Sequence, residues 1–180
     1  MPAAWTNRAM QVLVGGVGYH NLSDYSVGPL LVERLRAMPW PRGVDIRDLS
    51  FNHLGFVQEF LGDRLYFDRV VLVGAVPRGG PPGQVRSYRW AFRLPSEAEL
   101  QDRIAEAYMG VISLENLLVI GTHFDIWPPD VRVLEVEPAW ETYGGQLSPQ
   151  VAECLPQLIA AVRGQVLAGW AEEWAQVRPN

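Results

Sequence analysis

Cysteine is nearly missing from this chain: a single residue, Cys154, among 180. One thiol excludes a disulfide framework and fits a reducing compartment, and its place in an apolar helical stretch makes it an expected core residue. Long apolar runs are absent too. None approaches the roughly 20 residues that span a bilayer, and the N-terminus has no basic stretch followed by an apolar one, so a cytoplasmic protein without a membrane segment is expected. Charge of one sign is also in short supply. The net charge is −5, and the 15 basic residues are scattered instead of lining one face, which argues against nucleic acid as a partner. No Gly-x-Ser-x-Gly elbow occurs, and no Ser/His/Asp or Cys/His arrangement stands out, so ordinary nucleophilic hydrolysis has no support. Repeats, linkers and low-complexity tracts are lacking as well.

What is present suits a single domain over residues 1–180, since 48% hydrophobic content at this length builds one substantial core. Seven tryptophans are many for the length. Trp90, Trp140, Trp170 and Trp174 fall near element ends, where partly exposed rings suit a protein-binding surface.

The hydrophobic pattern alternates between strand and helix. Val12 to Val14, running into Gly15 and Gly16, reads as a buried strand. After a loop from Gly18 to Ser26, apolar residues at helical spacing from Val27 to Met38 predict a helix that Pro39 and Pro41 stop. Val44 to Leu49 is a weaker strand and Leu54 to Leu61 a second helix. Arg69 to Val76, almost wholly apolar, suits the centre of a parallel sheet. Pro77 to Gly83 must turn, and Val85 to Phe92 alternates like an antiparallel strand with one exposed face. Ser96 with Glu99 opens a helix to about Met109, Ser113 caps another to about Ile120, and Val131 to Val136 is the last strand. Ser148-Pro149 starts a terminal helix reaching about Trp174. The sum is an α/β three-layer sandwich: a mostly parallel sheet of about five strands with helices on both faces.

In such folds ligands sit beyond the carboxyl ends of the strands, so the informative loops follow Val14, Leu49, Val76 and Val136. The first, Gly16-Val17-Gly18-Tyr19-His20-Asn21, is not a dinucleotide loop, because Asn21 stands where the third glycine is required. The whole run, Gly16-Val17-Gly18 with Asp24 and Gly28, resembles instead the opening of the hydrogenase maturation endopeptidases. Val70 to Val76 with the turn Gly80-Pro81-Pro82-Gly83 is similar to that family's central strand and Gly-Pro-Gly turn. Val131 to Pro138 and Leu147 to Val151 resemble its last strand and the start of its last helix. The resemblance spans about residues 11 to 165.

The resemblance implies a protein that trims a C-terminal extension from the large subunit precursor of a nickel-iron hydrogenase. Such a protein recognises nickel already held by that substrate, through an acidic residue in the first loop, an Asp in the central strand and a His before a later helix. Carried onto this chain, those positions fall on Tyr25, on Gly74 and near Gly110. A phenol must lose a proton to bind nickel and glycine has no side chain, so no metal site is expected at these positions and no resident cofactor is implied.

Three functions follow. The first is a maturation factor that binds the large subunit or its C-terminal tail without nickel-dependent cleavage, using the loop residues Gly18, Tyr19 and Phe51 and an aromatic rim that includes Tyr25 and Trp140. The second is an active endopeptidase with a relocated site at His20, Asp24 and His53. In the bland alternative Asp24 helps cap the following helix, His20 is a solvated loop residue and His53 begins a helix. His123 is no substitute ligand, being roughly 15 Å along a helix from Gly110 at 1.5 Å per residue. The third is an unrelated small-molecule-binding α/β module. Glu135 and Glu137 point to one side of the last strand, where one of them can pair with an arginine.

Overall fold

The computed structural model describes residues 9–51, 53–63 and 66–168. Five strands, β1 (Val12–Gly16), β2 (Val44–Asp48), β3 (Arg69–Ala75), β4 (Val85–Arg89) and β5 (Val131–Val136), form one sheet in the order β2-β1-β3-β5-β4. All pair in parallel except β4, which closes one edge antiparallel to β5. The helices are α1 (Val27–Arg36), α2 (His53–Asp63), α3 (Glu97–Tyr108), α4 (Leu114–His123) and α5 (Pro149–Leu167).

The strands are apolar on both sides because both faces of the sheet are covered. Val12, Val14, Val71, Val73 and Leu134 pack with Leu31 and Leu35 of α1 and with Leu155, Leu158 and Val162 of α5. The alternate residues Leu13, Val70, Leu72 and Val133 pack on the opposite face with Phe56 and Phe60 of α2 and with Leu117 and Leu118 of α4. Smaller contacts of Val57, Ala107 and Ile120 seat α3 against α2 and α4. Cys154 is buried in the α5 layer, as expected.

Three helices start where serines predict. Ser96, Ser113 and Ser148 each accept a hydrogen bond from the backbone N–H three residues on, at 3.3 Å. Other boundaries move. The fourth strand ends at Arg89 instead of Phe92, because Phe92 adopts φ 54° and turns the chain off the sheet. Helix α4 continues past Ile120 to His123, and α5 ends at Leu167, short of the expected Trp174, where Ala168 turns extended; Trp170 and Trp174 themselves lie outside the described residues. No helix among the described residues is long and apolar enough to cross a membrane.

Candidate functional site

The carboxyl ends of β1, β3 and β5 meet the first loop, and glycines permit the meeting. A Cβ on Gly16 would collide with the Gly28 carbonyl, and one on Gly28 would collide with the backbone of Val17, so the first turn of α1 lies directly on the exit of β1. The loop then makes a short 3-10 turn, Ser23–Ser26, before α1.

Asp24 is fully buried in that turn. Its Oδ2 accepts from the N–H groups of Ala139 (2.7 Å) and Trp140 (2.8 Å), and its Oδ1 from Ser148 N (2.7 Å). The carboxylate thus does not cap its own helix, contrary to the bland alternative. It ties down the segment between β5 and α5 and ends at the residue that caps α5. Ser23 Oγ adds a 2.7 Å bond to the Thr142 carbonyl, and Asn21 O accepts from Gly144 N at 2.8 Å, so this segment is laced across the first loop.

Tyr25, Gly74 and Gly110 do not form a donor set. Tyr25 is half-buried, and its phenol is pushed above its ordinary pKa by burial first and then by the negative charges of Glu141, Glu137 and Asp24. It stays protonated at neutral pH, the wrong state for a metal ligand. At Gly74 the missing side chain leaves no hole. A Cβ there would lie 2.8 Å from the Val17 carbonyl oxygen and 3.5 Å from Leu114 Cβ, so backbone and a leucine close the place. Gly110 is exposed at φ +88° in the turn after α3, and a Cβ added to it would meet nothing within 4 Å. The residue that faces Gly74 from this part of the chain is Leu114, in the first turn of α4.

Sequence reasoning missed what that first turn holds. Glu115, beside Leu114, binds Arg78 Nη1 at 2.7 Å. The same guanidinium forks onto Glu135, with Nε donating at 3.0 Å and Nη2 at 2.7 Å, and the Tyr88 hydroxyl donates to Glu135 Oε1 at 2.6 Å. Burial, the Glu135 hydrogen bond and the Glu135 charge push the Tyr88 phenol well above its ordinary range. Glu137 accepts from the backbone N–H groups of Arg78 and Gly79 and pairs with Arg86 at 3.1 Å. Burial would raise this carboxyl, but the backbone N–H groups of residues 78 to 80 and the Arg86 guanidinium outweigh it and hold Glu137 below its usual value. Glu135 of β5 and Glu137 just beyond it are therefore both paired, where the sequence suggested one. The signal was the alternation of Glu135 and Glu137 at the end of the last strand.

The relocated site fares no better. His20 Nε2 lies 2.9 Å from Asp48 Oδ2, and its ring stacks on the exposed Phe51 at 5.2 Å. Asp24 is committed to backbone N–H groups. His53 opens α2, 2% exposed, with neither ring nitrogen hydrogen-bonded, and burial lowers its pKa to about 4. Among the described residues no three His, Cys, Asp or Glu side chains are placed to hold a metal ion. Gly18 is buried under the Tyr25 carbonyl, and the Tyr19 hydroxyl accepts from Ile112 N at 2.9 Å, which fastens the first loop to the approach of α4.

A mostly parallel α/β sandwich whose first loop, central strand and α4 start converge at one sheet end defines the class of protein. No family model and no curated protein matches the chain. Solved structures do. The hydrogenase 2 maturation peptidase from a Thaumarchaeota archaeon is 25% identical, with 84% of this chain and 95% of that one covered and a TM-score of 0.60. The hydrogenase maturating endopeptidase HybD from E. coli is 23% identical, covering 91% and 94%, with a TM-score of 0.62. The hydrogenase maturation protease HycI from Thermococcus kodakarensis is 16% identical, covering 87% and 92%, also at 0.62. The resemblance read from the sequence holds in three dimensions: this chain has the fold of the hydrogenase maturation endopeptidases.

Proposed function

We propose that this protein binds the large subunit of a nickel-iron hydrogenase, or its C-terminal tail, during maturation and does so without nickel-dependent cleavage. The observation that carries the reading is the closure at Gly74. The Val17 carbonyl and Leu114 occupy the place of a side chain there, while the rest of the fold is kept. A chain that retained only the scaffold of a peptidase has this pattern: a preserved first loop and a filled recognition pocket. Binding falls to the exposed rings around that loop, Phe51 at 65% and Trp140 at 44% exposure, because aromatic anchors supply contact area at low entropic cost. Retained affinity needs no metal of this protein's own.

The test is intact-mass analysis of a large subunit expressed with and without this protein in nickel-supplied cells, together with its co-purification. Co-purification with an unshortened subunit is the expected result. A shortened subunit that depends on this protein overturns the loss of cleavage, and absence of any association overturns the partner.

A further inference from the structure

A buried carboxylate cannot stay charged alone, and Glu135, with its side chain 2% exposed, does not have to. It receives the fork of Arg78 on one side and the Tyr88 hydroxyl on the other. Glu135 is the register neighbour of Gly74 across β3 and β5, and Glu115, which holds the third arm of the guanidinium, follows the leucine that seals Gly74. A fixed organic cation therefore stands beside the closed position, bound by oxygen donors from β5 and α4 and carried on the turn after β3.

We propose that Arg78 is a built-in cation that takes the place of a metal ion at this end of the sheet and excludes divalent ions from it. This rests on the reading above that the pocket works without nickel, and names Arg78 as the residue responsible. Its guanidinium is planar and permanently charged, and it meets a carboxylate in two parallel bonds, so it pairs with both Glu135 and Glu115 without coordination geometry or an ion supply. Every cation in this sequence is an arginine, with no lysine anywhere. Taking the guanidinium away while leaving Glu115 and Glu135 would place two carboxylates around a charge deficit, which suits an ion with a preference for hard oxygen donors such as Mn2+.

The experiment uses the purified chain and metal alone. Mn2+ and Ni2+ are titrated calorimetrically into wild type, Arg78→Met, Arg78→Lys and the double variant Arg78→Met with Glu135→Gln. Wild type and Arg78→Lys, which keeps the charge, are expected to take up neither ion. Arg78→Met is expected to bind one Mn2+ at least tenfold more tightly than wild type, and the added Glu135→Gln should abolish that gain. A variant that folds only when Mn2+ is supplied also supports the proposal. Stoichiometric uptake of either ion by wild type overturns it. So does Arg78→Met that binds no better than wild type, or that stays unfolded with and without Mn2+. Because no hydrogenase subunit is present, a wrong partner leaves this outcome untouched.

Discussion

Asp24 satisfies backbone donors that have no other partner, and that makes it the most consequential single side chain of the first loop. Asp24→Ala takes the acceptor from the N–H groups of Ala139 and Trp140, both on exposed residues, and leaves that of Ser148 buried and unpaired. At about 1–3 kcal/mol for the one buried donor left without its partner, the variant should lose about 2 kcal/mol of stability in urea unfolding. A loss below about 1 kcal/mol would show that the 139–148 segment holds itself in place. Gly74 gives a second residue-scale expectation. Its Cβ would press on the Val17 carbonyl at 2.8 Å, so Gly74→Ala should destabilise by about 1–3 kcal/mol. Gly74→Asp should be worse and should confer no nickel binding, because the new carboxylate has no room to reach a common point with Tyr25. Nickel capture by Gly74→Asp, read calorimetrically, contradicts the closed pocket.

At the scale of elements, α5 depends on a start assembled from two directions. Ser148 caps its first turn through Oγ, while Ser148 N is itself held by Asp24. Ser148→Ala removes only the cap and should cost about 1 kcal/mol. Combined with Asp24→Ala the losses should fall short of additive, since both act on one turn. A double-variant cycle that adds up within error would mean the two residues do not share that turn. Strand β4 shows a related dependence. It is an edge strand held on its inner face through Tyr88 and Arg86, which reach Glu135 of β5 and Glu137 just beyond it. Charged pairs on that face bind the edge and leave its outer residues Ser87 and Arg89 exposed, which discourages pairing with another chain.

Across the whole molecule, acid stability should be governed in part by His53. Unfolded, its ring titrates near 6.5, and burial lowers this to about 4 in the fold. Above 6.5 the ring is neutral in both states and adds no pH dependence. Between 6.5 and 4 the unfolded chain takes a proton that the folded chain refuses, so stability falls as pH drops, by up to about 3 kcal/mol at 1.36 kcal/mol per unit. His53→Phe should flatten the dependence in that window, measured by urea unfolding at several pH values, and an unchanged slope would falsify the assignment. Much of the molecule was legible before folding. Short β-branched runs announced the strands, apolar spacing announced the helices, and Ser96, Ser113 and Ser148 marked helix starts, because each of these signals acts within a few residues. The glycines Gly16 and Gly28 and the buried Asp24 stood out as a motif for the same reason. Partners were not legible. Asp24 binds residues 115 to 124 positions away, and Arg78 meets Glu135 across 57 positions. That Gly110 stands apart from Gly74 was hidden too, because a turn separates it from the helix start whose Leu114 reaches Gly74. Local periodicity and capping chemistry are encoded residue by residue, so they settle the architecture. Which charges neutralise one another, and whether Gly74 opens on space or on a carbonyl, depends on chain segments that meet only when the sheet and its helices close, and that closure is what decided the chemistry of the site.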